Sequence, residues 1–393
     1  MTNFLKSIPI ARVSTVAFFV FTQLRAQLEA LADADATIYI VASNDDLGNN
    51  IQGIKNCIFN PLDIERQINF PRDLVALIKL WKFFRKKHIV IVHSTTPKAG
   101  LLCALAAKLA GTEVCIHTFT GQPWVTMGGI KKWLTRWSDK LIASLNTCCY
   151  TDSRSQRDFL IKNNICRGDK IKVLGSGSLA GVDLTRFTTA RFSSQENNDL
   201  KRSLNIKDST KVLLFVGRIT REKGIFELLE AMGHLTHKHD VVLIIVGPFE
   251  QDNKQEIYDT AKRFCESQVR FVGFQEEPER YIAISDILCL PSYREGFGTV
   301  VIEAAAMGIP AVGTNIYGLS DAVVDKVTGL LIDPQNIIQL VNALDCMLSE
   351  DSLRLRMGEQ AKIRVLKEFN SNYCSQLLID EYIRLLNRNS EGK

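Results

Sequence analysis

The feature that most constrains this chain is a repeating rhythm of short apolar runs separated by amphipathic stretches. The runs are Ala11–Ser14, Thr37–Val41, Ile89–Val92, Val114–Thr118 and Cys148–Thr151 in the first half. In the second half they are Lys211–Val216, Val241–Val246, Val269–Phe271, Ile287–Leu290, Ala311–Gly313 and Gly329–Ile332. Runs this short and this evenly apolar suit strands buried on both faces, as in a parallel sheet. Helical spacing fills the gaps, at Phe21–Leu31, Leu74–Lys86, Gly100–Ala110, Phe226–Met232 and Asn336–Leu348. Strands alternating with helices predict an α/β chain of parallel sheets covered by helices.

The rhythm breaks once. Residues 188–200 are polar and carry no apolar periodicity, so they read as a surface linker. The 393 residues then divide into two Rossmann-like domains of similar size, residues 1–187 and 201–373. The tail, residues 374–393, has helical spacing at Leu377, Leu378, Tyr382, Leu385 and Leu386, which predicts a terminal helix docked on a domain surface.

Several classes are excluded by what surrounds this pattern. No segment approaches the ~20 apolar residues that a membrane helix needs. The run Val16 to Phe21 is too short to span and no small-residue cleavage site follows it, so it reads as buried strand or loop. Ten cysteines are present without a CxxC pair or a Cys/His cluster at zinc spacing, which suits core thiols in a reducing cytoplasm. Charge is unevenly spread: residues 1–187 carry 24 Lys and Arg against 14 Asp and Glu, and the remainder 24 against 29. The basic half suits an anionic membrane surface or a phosphorylated ligand. Nucleic acid is the competing use, but no nucleic-acid motif is present.

Two segments carry chemistry. In the first, the apolar run ending at Val216 enters Gly217-Arg218, and Lys223-Gly224 follows where the next helix begins. Ligands of open α/β sheets bind at this edge. Arg offers bidentate bonds to phosphate and Lys a compact charge, so together they suit a diphosphate. The second runs from Pro291 to Thr299 and leads into a helix over Val300–Met307 that exits at Gly308-Ile309-Pro310. Gly296 and Gly298 let backbone N–H groups approach an anion at the helix N-terminus. Glu295 and Glu303 are poor neighbours for phosphate but good acceptors for sugar hydroxyls.

Glu295 and Glu303 also stand in the E-x7-E spacing of retaining GT-B glycosyltransferases. With Gly217-Arg218, Lys223-Gly224, Ala311–Thr314 and Thr328–Leu331, the chain resembles glycosyltransferase family 4. The resemblance implies two Rossmann-like domains facing across a cleft, with the last helix crossing back to the first domain. It implies that Arg218 and Lys223 contact the donor diphosphate, that Glu303 binds the nucleotide ribose and that Glu295 faces the transferred sugar. Gly217, Gly296, Phe297, Gly298 and Thr299 would line the donor pocket. No cofactor is implied: the nucleotide-sugar is a co-substrate, and Arg and Lys stand in for a metal.

The first half is similar to members that build bacterial surface polysaccharides, through Val13-Ser14-Thr15, His93–Gly100, His117–Trp124 and Gly175–Asp183. Two positions depart from the family. Ser14-Thr15-Val16-Ala17 replaces a glycine-rich loop, and Thr120 stands where many members carry a His before the glycine matched by Gly121. The nearest His is His117, which either reaches the active cleft or is a strand-end His with a structural hydrogen bond. Asp183 reads as a local loop acceptor.

Two stretches, Leu80–His88 and Gly129–Trp137, mix aromatics with cations as interfacial helices do. The expected activity is transfer of a hexose or N-acetylhexosamine from a nucleoside-diphosphate sugar, UDP first among them. The acceptor would be a polyprenyl-diphosphate-linked saccharide, and the enzyme would sit in the cytoplasm on the inner face of the membrane. A sugar-nucleotide epimerase and a catalytically silent subunit of the same fold share many of these features.

Overall fold

The computed structural model describes residues 4–44, 53–65, 69–250 and 253–391. They fall into two compact units, Met1–Gly181 with Ser371–Lys393, and Val182–Asn370.

The first unit is built on seven strands: β1 Pro9–Val16, β2 Thr37–Ser43, β3 Cys57–Pro61, β4 Ile91–Ser94, β5 Val114–Phe119, β6 Cys148–Thr151 and β7 Ile171–Val173. Their order is β3-β2-β1-β4-β5-β6-β7, and every pairing is parallel. Alternate residues of β1 serve opposite faces. Ile10 joins the cluster under the helices Arg25–Asp33 and Ser371–Glu391, while Ala11 and Val13 join the cluster under Phe70–Lys86 and Pro97–Ala110. Asn69 caps Phe70–Lys86, and Gly111 closes Pro97–Ala110 in the left-handed conformation.

The second unit holds β8 Lys211–Val216, β9 Val241–Val246, β10 Val269–Gly273, β11 Ile287–Leu290, β12 Ala311–Thr314 and β13 Gly329–Ile332. These are again all parallel, in the order β10-β9-β8-β11-β12-β13. In each sheet the winding reverses once, between β1 and β4 and between β8 and β11. At such a reversal the loops leaving the two strands diverge and open a crevice at the carboxyl edge.

Several expectations need correction. Val16 to Phe21 is mostly helix (Ala17–Gln23), and a break at Leu24 separates it from Arg25–Asp33, so the single helix Phe21–Leu31 is two. A short apolar run looks the same whether it is buried strand or buried helix. Strands β3 and β7 escaped notice because they are short edge strands, only partly buried. The polar segment 188–200 is not a bare linker: it forms a 3-10 turn, Thr189–Arg191, and most of the helix Ser194–Ser203. That helix buries no residue, hence its missing periodicity, and a capping box between Ser193 and Glu196 starts it. Phe187, Phe192 and Leu200 hold the segment to the core of the second unit, so the division falls at Gly181 and Val182 instead. The terminal helix begins at Ser371, and Leu378, Tyr382 and Leu385 lie in the core of the first unit.

Candidate functional site

In the second unit, β8 and β11 end side by side at the winding reversal. Beyond β8 the chain passes Gly217 and the exposed Arg218, then a 3-10 turn Arg221–Lys223, then Gly224 at φ +71°. A Cβ on Gly224 would overlap the Pro291 carbonyl oxygen at the end of β11. Only glycine lets these two loops lie against each other.

Side chains then lace the loops together. The Lys223 ammonium pairs with the Glu295 carboxylate, which also accepts from Ser292 Oγ at 2.9 Å. Arg294 Nη2 donates to Glu222 Oε2 at 2.7 Å, the Tyr293 amide donates to the Glu222 carbonyl at 2.8 Å, and the Tyr293 hydroxyl donates to Glu227. Thr314 at the end of β12 donates to the Ser292 carbonyl. Arg218, about half exposed, pairs with Glu250.

The β11 loop ends at Gly298, which precedes the helix Thr299–Ala306 with φ +85°. A Cβ there would stand 2.6 Å from Leu319 Cδ2. No side chain caps this helix; the Val301 amide donates to the Gly298 carbonyl at 2.8 Å, and an uncapped helix start of this kind suits an anion. Phe297 differs from expectation: its side chain does not line a pocket but is buried, with its ring 5.3 Å from that of Phe369. In a loop that crosses the core edge, an aromatic gains more from burial than from facing a phosphate.

Glu303 sits one turn into the same helix. Burial pushes its carboxyl up to about 7, the Arg186 charge draws it down and Glu279 raises it. Arg186 grips Glu279 through two nitrogens, at 2.8 and 2.9 Å, and Arg191 adds a third contact at 3.0 Å. Sequence reading missed this cluster, since 93 residues separate Arg186 from Glu279. Asp183 does what a loop Asp does, accepting from the Thr185 amide at 2.8 Å and the Thr185 hydroxyl at 2.7 Å.

In the first unit His117 is buried. Its Nδ1 is 2.9 Å from Ser94 Oγ, its ring stacks edge-on to Phe119 at 4.6 Å, and Gly100 packs over it where a Cβ would collide. Burial pulls it down to about 3, so it stays neutral. These contacts are those of a strand-end His with a structural hydrogen bond. Thr120 is half-buried and donates to the Thr95 carbonyl at 3.2 Å. In place of a glycine-rich loop, Ser14 is buried and the Thr15 amide donates to Thr96 Oγ1 at 3.0 Å.

The two basic stretches part company. In Leu80–His88 the aromatics turn inward: Phe84 is buried, and Phe83 stacks edge-on to Tyr39 at 5.5 Å. That stretch is an ordinary amphipathic helix end. In the helix Gly129–Leu145, by contrast, Ile130, Trp133, Leu134 and Trp137 are exposed among Lys131, Lys132 and Lys140. No helix of the described residues is long and apolar enough to cross a membrane.

Residues 196–364 match the family Glycosyl transferases group 1, and residues 21–177 match the Glycosyl transferase 4-like domain. The chain is 29% identical over 372 residues to the capsular polysaccharide biosynthesis glycosyltransferase CapM of Staphylococcus aureus, covering 94% of this chain and 95% of that one. It is 27% identical to an Escherichia coli UDP-Gal:alpha-D-GlcNAc-diphosphoundecaprenol alpha-1,3-galactosyltransferase, covering 82% of each. Among solved structures, a glycosyltransferase from Rickettsia africae superposes with a TM-score of 0.81 at 20% identity, over 97% of this chain and 99% of that one. HepE from Anabaena, solved with UDP and glucose, superposes at 0.80 with 16% identity, over 95% and 99%. With the two family models together spanning most of the chain, and solved glycosyltransferases superposing over nearly all of it, the chain belongs to the family-4 glycosyltransferases of the GT-B fold.

Proposed function

We propose that this enzyme transfers a hexose or N-acetylhexosamine from a UDP-sugar to a polyprenyl-diphosphate-linked saccharide, with retention at the anomeric carbon, in bacterial surface polysaccharide synthesis. The observation that carries the donor side is the convergence of Lys223, the Gly298 helix start and Glu295 where β8 and β11 diverge. Arg218 leaves the same strand end. The diphosphate would displace Glu250 from Arg218 and share Lys223 with Glu295. As the glycosidic bond breaks, charge grows on the leaving phosphate, and fixed cations and amides stabilise it there most. Glu303 would accept from the ribose, and the leaving phosphate oxygen would take the acceptor's proton. Arg and Lys supply the neutralising charge, so the reaction needs no divalent metal and chelators should leave its rate unchanged.

The capsular and diphosphoundecaprenol-dependent relatives support the acceptor class, and HepE supports UDP. A lipid-linked acceptor places the enzyme in the cytoplasm against the inner face of the membrane. The exposed Trp133 and Trp137 on a lysine-bearing helix support that placement.

The test is a thermal-shift panel of UDP, GDP, ADP, dTDP and their sugar conjugates, since a ligand of the native state raises Tm by mass action. UDP should stabilise the wild type and not Arg218→Ala. Transfer by Arg218→Lys and Lys223→Arg should fall on the order of a hundredfold, as for other groups that stabilise transition-state charge. Wild-type rates for both variants would overturn the diphosphate assignment. Conversion of the donor sugar without an acceptor would indicate an epimerase.

A further inference from the structure

At the opposite edge of the first sheet, away from the winding reversal, lies a cavity of about 490 Å³. It wraps the amino ends of β6 and β7, where Thr147 and Lys170 line it. Six cations border it: Lys140, Arg167, Lys170, Lys172, Arg384 and Arg388. Carboxylates answer only some of them. Arg167 pairs with Asp169 at 2.8 Å, and Glu381 serves both Lys172 at 3.4 Å and Arg384 at 2.6 Å. Lys170 donates to the Ser144 carbonyl at 2.6 Å. Among the described residues, Lys140 and Arg388 have no carboxylate partner. The volume is that of a small-ligand site, the charge selects an anion, and Ala143, Ile165 and Leu385 add apolar wall.

The cavity is joined to the exposed aromatic helix. Trp133, Trp137, Lys140 and Ser144 are spaced by four, three and four residues, so they share one face of Gly129–Leu145. Two exposed tryptophans occupy the first part of that face, and the cavity opens on the last part. Indole rings sit at the level of lipid headgroups, and cations attract the phosphates of anionic lipids there.

We propose that this cavity is a binding site for the phosphate headgroup of an anionic phospholipid, which holds the enzyme by its first unit while the tryptophan face lies in the bilayer interface. The site is separate from the donor crevice, which lies in the other unit. The proposal rests on the membrane placement given above and specifies which lipid chemistry is read, and where.

The test is co-sedimentation of the full chain with vesicles of phosphatidylcholine alone and of phosphatidylcholine mixed with phosphatidylglycerol. Lys140→Ala/Arg388→Ala should lower binding to the anionic vesicles on the order of tenfold, and leave binding to neutral vesicles and the UDP-induced shift in Tm unchanged. Lys79→Ala/Lys82→Ala removes equal charge from the helix Phe70–Lys86, outside the cavity, and should change binding far less. Trp133→Ala/Trp137→Ala should weaken binding to both kinds of vesicle. Glycerol 3-phosphate should compete only weakly, because it lacks the interface that the tryptophans use.

Equal losses from the two cation pairs would overturn the site in favour of general surface charge. Tight glycerol 3-phosphate binding without vesicle binding would overturn the lipid as source and leave a soluble phosphate ligand. If the tryptophan pair alone mattered, the membrane placement would stand and the headgroup site would fall. If no variant changed vesicle binding, the membrane placement itself would fall, while donor binding would remain a separate question.

Discussion

At the scale of single residues, two titratable groups separate site from scaffold. Glu303 is lifted to about 7, so between its ordinary value and 7 the folded chain holds a proton that the unfolded chain releases. Its contribution to stability is therefore full at low pH and is lost as pH rises to 7. The ribose contact proposed for Glu303 needs the opposite form, because only the carboxylate accepts from both hydroxyls. UDP affinity should accordingly rise as pH climbs from about 6 to about 8, and Glu303→Gln should bind more weakly and lose that slope. A Gln variant with an undiminished slope would take Glu303 out of the nucleotide site. Binding is the better readout, since burial also lifts Asp139 to about 7 and Asp152 to about 8, and a melting curve mixes all three. His117 makes the reverse case. With its ring packed against Phe119 and Gly100, His117→Ala should cost about 2 kcal/mol of stability and leave kcat within a few-fold of wild type once folded. A large loss of kcat with an unchanged Tm would return it to the chemistry. No spacing rule distinguished the two roles, because both place a His at the end of a strand.

At the scale of elements, the site is made by two loops that only glycine can bring together. Gly224→Ala sets a Cβ against the carbonyl of Pro291, where both partners are backbone and neither can yield. Gly298→Ala meets only the tip of Leu319, which can rotate away. Both also strain a left-handed residue by about 1–2 kcal/mol. We expect Gly298→Ala to fold with a lowered Tm, and Gly224→Ala to lose several times more stability and its UDP response. Equal melting temperatures would show that the loops are not held by this contact. In the sequence Gly298 reads as a glycine at a helix start, and Gly224 only as the residue after Lys223 where the next helix begins. The Arg186, Arg191 and Glu279 cluster beside Glu303 was not legible, because its members carry no local pattern.

At the scale of the whole molecule, the last helix is a structural part of the first sheet. Arg12, fully buried on β1, donates from Nη1 to the Tyr382 hydroxyl at 2.8 Å and from Nη2 to Gln27 Oε1 at 2.9 Å. His93 joins through Nδ1, 2.6 Å from the same hydroxyl, and burial with the Arg12 charge beside it keeps that ring neutral. Among the described residues no carboxylate serves this guanidinium, so its neutral partners carry the load of solvating it. Tyr382→Phe should therefore cost about 1.5–3 kcal/mol, more than a hydroxyl on a surface would, and thermal unfolding should show it. An unchanged Tm would mean that water readily replaces the hydroxyl.

By itself the sequence determined the number and kind of the sheets, the central strands and the two glycine-bearing loops at which donor binding is proposed. Each of these is written in local periodicity or in residues that stand next to each other. Only the tertiary structure decided which helix completes which sheet, that segment 188–200 is folded, that Phe297 and His117 face inward, and that six cations meet around one cavity. Those outcomes depend on contacts between residues far apart in the chain, and what a side chain faces is settled by the elements that close over it.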